Sequence, residues 1–158
     1  MVDFLTPEER SKRMSRIKSR DTVPEVALRK ALHALGFRFR LGSRRLPGKP
    51  DIVLPKYKSV VFVHGCFWHR HEDCKVATTP KSNTEFWLDK FERNVQRDLR
   101  VADELSRLGW QVNIVWECEL SSMKAIGEAA ASIARAVKGA TDGEQSKAKS
   151  VASGEPFG

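Results

Sequence analysis

Residues 64–75 read HGCFWHRHEDCK, so that three histidines and two cysteines fall within eleven positions. The whole chain contains only four histidines and three cysteines. This concentration constrains the fold more than any other feature, because a metal held by neighbouring imidazole and thiolate groups fixes the backbone between them. The odd cysteine count, after an N-terminus without an apolar signal region, favours ligation over disulfide bonds and a cytoplasmic location. The stretch could bind a metal, carry chemistry or contact a partner.

Three possible metal ligands lie close together in this stretch, at Cys66, His71 and Cys74. The remaining cysteine, Cys118, follows a predicted strand that could lie beside the strand preceding Cys66. Three cysteines and one histidine form a standard structural zinc set with four tetrahedral ligands. The alternative is a pair of reduced core cysteines with surface histidines. Because the zinc hypothesis uses every cysteine, we favour it, and the closed ligand set predicts a structural ion and not a catalytic one.

Positive charge is concentrated at the start of the chain. Residues 1–50 contain 13 lysines and arginines against 5 acidic residues, which accounts for the whole net charge of +8. A basic arm predicts nucleic acid as the partner, because each contact with a phosphate releases counterions. The alternative is a solvated basic face. No apolar run approaches the ~20 residues that span a bilayer, so no membrane association is expected.

Hydrophobic periodicity predicts one α/β domain over residues 21–138, preceded by a basic N-terminal arm (1–20) and followed by a disordered tail (139–158). The arm contains a capping-box pattern at residues 6–9 and two apolar residues one turn apart, Met14 and Ile17. The domain is predicted to contain helices over 22–35, 84–108 and 121–137 and strands over 37–41, 51–54, 59–64 and 111–116. These elements form a small central sheet flanked by helices.

One carboxylate and two imidazoles are the first candidates for catalysis. A hairpin predicted over 51–64 brings Asp51 near His64, and zinc bound by its neighbours would fix the backbone of His69. A carboxylate can hold Mg²⁺ while an imidazole activates water or protonates a leaving oxygen, which suits a phosphodiesterase. An acid on the preceding helix, Glu25, could complete the site, although a local role in a capping box also explains it.

Pro50-Asp51 fits the first half of the PD-(D/E)xK nuclease pattern, in which the aspartate starts a hairpin strand. The second strand ends with VFVH (61–64) and supplies neither the acid nor the lysine of the second half. Histidine would therefore have to replace them.

Adjacent bulky side chains, Phe67 and Trp68, occupy a stretch crowded with polar ligands, where a core could hardly absorb both. On a basic protein such residues can wedge between base pairs and unstack a step. The alternative is that they cover the zinc site. Trp87, at the start of the long helix, could join the wedge or belong to the core.

Three segments resemble the very-short-patch-repair (Vsr) mismatch endonucleases: PGKPDIVLPKYKSVVFVHGCFWHRH, NTEFWLDKFERNVQRD and LGWQVNIVWECEL. The resemblance implies a restriction-endonuclease-like fold of the PD-(D/E)xK type with a structural zinc site. It implies an Mg²⁺-dependent enzyme that nicks one strand of double-stranded DNA beside a T:G mismatch, the product of 5-methylcytosine deamination. We further expect a monomer, with other mismatch-repair proteins as partners.

The resemblance also assigns roles to individual residues. Asp51 binds Mg²⁺ together with the main-chain carbonyl of Val63. His69 is the catalytic base, His64 contacts the scissile phosphate, and Glu25 is the acid of the helix. The residues that enter the DNA beside the mismatch are Phe67, Trp68 and Trp87 from one groove and Met14 and Ile17 of the arm from the other.

Two positions depart from the family pattern. Val63 precedes HGC where a family member has threonine, which leaves a carbonyl ligand intact. The spacing from His71 to Cys74 is one residue longer, which weakens the assignment of Cys74 to zinc. Two other functions stay open at this point: a related nuclease with a different DNA target, and a zinc-stabilised DNA-binding module without catalysis.

Overall fold

A computed structural model of the chain describes residues 6, 8–9, 22–42 and 45–151, with side chains through residue 139. The helices and strands of these residues are α1 (Val23–Ala34), β1 (Ile52–Leu54), β2 (Ser59–His64), α2 (Thr84–Arg107), β3 (Gln111–Trp116) and α3 (Met123–Val151). The predicted architecture of a central mixed sheet with flanking helices is confirmed. Among the described residues, no helix combines the length and the apolar character that a membrane span requires.

β2 is the central strand of the sheet, whose order is β1-β2-β3. β1 pairs with it in the antiparallel sense, with Ile52 opposite Val61, as the predicted hairpin requires. Lys58 closes the turn in the left-handed region at φ 47°. β3 runs parallel to β2, with His64 opposite Trp116. Because parallel strands need a long crossover, α2 connects these two strands, and their carboxyl ends meet at one edge.

Helices cover both faces of the sheet. Val61 points to one face and packs in a cluster with Leu28 of α1 and Ile133 of α3. Its neighbour Val60 points to the other face and packs with Leu105 of α2. Burial on both faces explains why β1 and most of β2 are continuous apolar runs without polar alternation.

The strand predicted over 37–41 is wrong. Only Arg40 pairs, through two backbone hydrogen bonds with Val53 of 2.8 and 2.9 Å. β1 is three residues long and therefore offers little edge for a further strand. Phe37 instead turns into the core, where 2% of it is exposed.

The apolar side of α2 is narrower than its sequence pattern predicts. Phe91 and Leu105 are buried, whereas Phe86 and Leu99 are 58% and 61% exposed. Leu99 lies about 100° around the helix from Asp98, which points to the edge of the sheet. Asp98 and Asn94, which lie between the two buried positions, contact His69 and the Trp68 carbonyl at this edge.

The two ends of the chain differ in how far the predictions reach. Thr6 and Glu9 form the expected reciprocal capping bonds, of 2.8 and 3.2 Å, but the predicted wedge residues Met14 and Ile17 lie outside the described residues. Val137 is the last buried residue of α3 among those whose side chains the structure describes, which end at residue 139. The helical backbone of α3 continues to Val151, into the segment predicted to be a disordered tail, where alanine, lysine, glutamine and glutamate favour helix.

Candidate active site and metal centre

The site lies at the edge of the sheet where β2 and β3 both end. His64 and Trp116 are paired in register as the last residues of these strands. Cys66 and Cys118 each follow two residues later, so the parallel register brings two distant parts of the sequence together. The carboxyl edge of parallel strands is the usual position for ligand sites in open α/β sheets.

The four predicted zinc ligands form one cluster at this edge. Their ligand atoms lie within 4.8 Å of one another, in the set Cys66, His71, Cys74 and Cys118. The Cys118 Sγ and His71 Nδ1 atoms are 3.4 Å apart. Ligands bound to a tetrahedral zinc at about 2.1–2.3 Å would lie roughly 3.5–3.8 Å apart. The longer spacing before Cys74 therefore does not keep this residue from the cluster.

The thiols of the cluster also show the electrostatic signature of a cation site. Burial and the neighbouring cysteines raise the pKa of Cys118 to about 12. The backbone N–H of Val76 and the surrounding side chains lower the pKa of Cys74 to about 7. Several thiolates so close together are unfavourable without a positive charge, and a zinc ion deprotonates its thiol ligands. The donor set therefore fits a soft divalent metal such as zinc.

A second cluster joins two histidines and an acid that the sequence patterns did not single out. The Nδ1 atom of His69 lies 2.5 Å from the Oδ2 atom of Asp98, on α2. The rings of His64 and His69 are stacked, with centroids 3.9 Å apart and an angle of 8° between the planes. A carboxylate at Nδ1 fixes the tautomer in which Nε2 is free to accept a proton.

His64 is held neutral by its surroundings. Burial and, after it, the charge of His69 lower the pKa of His64 to about 4, despite the opposing charge of Asp98. At neutral pH the imidazole is therefore uncharged and carries one N–H donor. Of the two imidazoles, His69 is the one that forms a hydrogen bond with a carboxylate of the described residues.

Asp51 approaches the same strand end from β1. Its Oδ2 atom accepts a hydrogen bond of 2.7 Å from the backbone N–H of Val63. Burial raises the pKa of Asp51 to about 6, against the lowering effect of the Val63 N–H, and the negative charge of Glu25 raises it further. A desolvated carboxylate beside a second acid is an environment that a hard divalent cation would stabilise.

Glu25 does not serve as a capping residue. Thr22, at the start of α1, makes no side-chain capping bond. Glu25 is instead buried, with 4% exposed, and its carboxylate is paired with Arg29 one turn later. The structure therefore does not support the alternative that Glu25 belongs to a capping box. The charge of Glu25 instead acts on Asp51.

The three aromatic residues predicted to enter DNA lie together between the site loop and α2. Ring centroids of Phe67 and Trp68 lie 5.8 and 6.0 Å from that of Trp87, and Phe91 anchors Phe67 from the core side at 5.1 Å. None of the three is fully buried. Lys90 places its ammonium 5.2 Å from the centre of the Trp68 ring. The three residues form a partly exposed aromatic ledge that packs on α2.

Arg70 stabilises the loop that carries Phe67 and Trp68. Its guanidinium donates to the carbonyls of Phe67 (3.3 Å), Ala77 (3.1 Å) and Thr78 (2.9 Å). The guanidinium carbon also lies 4.0 Å from the centre of the Phe91 ring. Arg70 therefore connects both ends of the loop to α2, and the fixed fork of donors explains why arginine suits this position.

Sequence reasoning missed Asp98, Arg70 and Asn94, whose amide donates to the Trp68 carbonyl at 3.1 Å. A signal existed for Asp98: it lies seven residues from both Phe91 and Leu105, hence on the buried side of an amphipathic helix. A lone acid in that position needs a partner. No comparable signal marks Arg70, because its partners are backbone atoms brought together by the loop.

The sequence of the chain is similar to those of DNA mismatch endonucleases and DNA-nicking enzymes. The family described as DNA mismatch endonuclease Vsr matches residues 2–76. The type II nicking enzyme V.NmeAIP of Neisseria meningitidis serogroup A is 47% identical, over 89% of this chain and 99% of that protein. The nicking enzyme V.XorIIP of Xanthomonas oryzae pv. oryzae is 48% identical, over 80% and 92% of the two chains. The DNA mismatch endonuclease Vsr of Escherichia coli K12 is 47% identical, over 76% of each chain.

A histidine oriented by a carboxylate next to a buried acid, in a chain so similar to DNA-nicking enzymes, defines a DNA-cleaving hydrolase. Within that class, the chain belongs to the Vsr family of DNA mismatch endonucleases. The resemblance carried by the HGCFWH, EFW and VWEC segments is thereby confirmed, as is the interpretation of the chain as an enzyme acting on DNA.

Proposed function

We propose that this endonuclease nicks one strand of double-stranded DNA beside T:G mismatches produced by deamination of 5-methylcytosine, in a reaction that depends on Mg²⁺. The observation that carries the proposal is the His69–Asp98 pair stacked on His64 at the carboxyl edge of the sheet. A related nuclease with another DNA target is the second candidate, because two relatives 47% and 48% identical are named type II nicking enzymes.

His69 is proposed as the general base. Asp98 occupies Nδ1, so Nε2 takes the proton of the attacking water while the water oxygen forms a bond to phosphorus. The phosphorus–oxygen bond to the neighbouring nucleotide then breaks, and the leaving oxygen takes a proton from a solvent water molecule. The carboxylate of Asp98 stabilises the imidazolium that forms on His69, as in other histidine–acid pairs.

His64 is proposed to position the scissile phosphate. Its low pKa leaves a neutral N–H that can donate to a phosphate oxygen without competing for the proton that His69 accepts. The stacked arrangement keeps the two imidazoles in a fixed relation. The phosphate would therefore lie over the same edge as the general base.

Asp51 is proposed to hold the magnesium ion, with the main-chain carbonyl of Val63 as a second ligand and Glu25 as a nearby acid. When bound, Mg²⁺ supplies charge neutralisation for the phosphate in the transition state. The Val63 N–H fixes one carboxylate oxygen of Asp51 and leaves lone pairs on the other oxygen. Arg29 pairs with Glu25, and the two acids Asp51 and Glu25 raise the local negative charge, so their donor set suits a divalent cation.

Zinc is proposed as the ion of the Cys66, His71, Cys74 and Cys118 cluster, in a structural role. Its ligands tie the loop after β2 to the turn after β3, on either side of His69. Phe67, Trp68 and Trp87 would then enter the duplex beside the mismatch, because a mispaired step opens at lower cost. Met14 and Ile17 are proposed to enter from the other groove. We expect a restriction-endonuclease-like fold of the PD-(D/E)xK type. We also expect the protein to act as a cytoplasmic monomer with other mismatch-repair proteins as partners.

A nicking assay on T:G and matched duplexes of the same sequence, with and without Mg²⁺, tests the proposal. We expect nicking of one strand of the T:G duplex only in the presence of Mg²⁺. Equal cutting of both duplexes would overturn mismatch specificity. Asp51→Ala should bind DNA without nicking it, with Asp103→Ala, at an exposed position of α2, as control. Absence of nicking by the wild type would favour a protein with a different DNA target.

A further inference from the structure

Basic residues are concentrated along one side of α2. With 3.6 residues per turn, four basic residues fall on one side of the helix. This side, called the basic flank below, comprises Lys90, Arg93, Arg97 and Arg100. Acidic residues border this side: Asp89 pairs with Arg93, and Glu92 lies beside Lys90 and Arg93. Glu104 closes the basic flank at its C-terminal end.

Two arginines of the basic flank lack the partners that other arginines of α2 have. Arg93 is paired with Asp89 and Arg107 with Asp103, each one turn away. Arg97 and Arg100 are exposed, and neither forms an ion pair with any residue that the structure describes. Exposed pairs contribute little to stability, so the fold does not explain this distribution of charge.

The basic flank connects the two parts of the proposed active site. At one end Lys90 lies over the aromatic ledge, 5.2 Å from the Trp68 ring centre. Further along the helix, Arg97 directly precedes Asp98. The positive charge of Arg97 acts on His64 and lowers its pKa. From Lys90 to Arg100 the helix rises about 15 Å. This length equals the rise of about four successive phosphates of one strand, measured along the axis of the duplex.

We propose that the basic flank of α2 binds successive phosphates of the DNA strand beside the mismatch, with Arg97 and Arg100 as its main contacts. The inference rests on the proposed function, because it takes duplex DNA as the ligand of this edge. The flank would guide the strand from the aromatic ledge past His64 and His69.

The test is the salt dependence of duplex binding by fluorescence anisotropy, in buffer without Mg²⁺ so that no nicking occurs. The slope of log affinity against log salt concentration is negative, and each phosphate contact contributes about 0.9 to its magnitude. In the double variant Arg97→Ala/Arg100→Ala this magnitude should be smaller than in the wild type by about 1.8. Between 50 and 200 mM salt, the affinity gap between wild type and variant should therefore narrow by about tenfold. Arg97→Lys/Arg100→Lys, which keeps the charge, should retain the wild-type slope.

The double variant Lys124→Ala/Arg135→Ala is the matched control. It removes the same charge from exposed positions of α3, on the opposite face of the sheet, and should keep the wild-type slope. A slope that falls equally in both variants, or in neither, overturns the proposal. If the wild type binds DNA but does not nick it while only the α2 variant loses slope, the basic flank stands and the proposed function fails. Thermal melting should show that all variants fold.

Discussion

Replacing Asp98 by asparagine tests whether the acid on α2 orients the general base. The acid lies 2.5 Å from His69 Nδ1, and its removal leaves an amide of the same shape. The amide NH₂ can donate to Nδ1, which would move the imidazole proton to Nε2. His69 would then hold a proton at the atom that must accept one from water.

The expected loss is worked from this geometry. General base catalysis contributes about 10²–10⁴-fold, and loss of the orienting acid in a serine protease triad costs about 10⁴-fold. The side chains of His69 and Asp98 are 22% and 21% exposed, so water can partly replace the lost acceptor. We therefore expect Asp98→Asn to slow nicking by about 10²–10³-fold.

Single-turnover nicking of a T:G duplex by excess enzyme measures this step without product release. Asp103→Asn is the matched control, because it makes the same change on the same helix in an exposed pair with Arg107. The control should nick at the wild-type rate, and Asp98→Asn should keep wild-type zinc content and DNA affinity. A rate within threefold of wild type, or a loss explained by weaker DNA binding, would refute the role of Asp98.

Three further predictions concern the metal centre, the acid at β1 and the loop. Cys118→Ser should lower bound metal to well under one equivalent and weaken nicking, measured by metal analysis of the purified protein; unchanged zinc content would exclude Cys118 as a ligand. The raised pKa of Asp51 means that the folded protein holds a proton more tightly than the unfolded chain, so stability in metal-free buffer should fall as pH rises from about 4 to about 6. Asp51→Asn should remove this loss of stability. By denaturant titration, its free energy of unfolding should exceed that of the wild type by roughly 2–3 kcal/mol at pH 7.5 and should equal it at pH 4. Equal free energies of unfolding at pH 7.5 would count against the desolvation of Asp51. Arg70→Ala should reduce the preference for T:G over matched DNA more than it reduces DNA affinity, because the bond to the Phe67 carbonyl and the stacking on Phe91 are lost; an unchanged preference in nicking assays would contradict this role.

Much of the site could be predicted because its residues are close in sequence or rare in composition. Cys66, His71 and Cys74 fall within nine positions, and Cys118 was the one cysteine left to complete the set. The hairpin over β1 and β2 follows from local apolar runs, so Asp51 could be placed near His64 in advance. By contrast, the strand predicted over 37–41 failed because alternation alone does not guarantee an available edge.

The sequence by itself determined the ligand chemistry, the order of the main elements and the family, since residue type and local period carry that information. Only the tertiary structure decided which acid serves which histidine. Asp98 reaches His69 across 29 positions because α2 packs beside the carboxyl edge of β2. Packing of α1 on the other face of the sheet buried Glu25, which pairs with Arg29, and packing of α2 left Leu99 in solvent. Such contacts depend on how elements pack, and the pattern within any one element does not specify them.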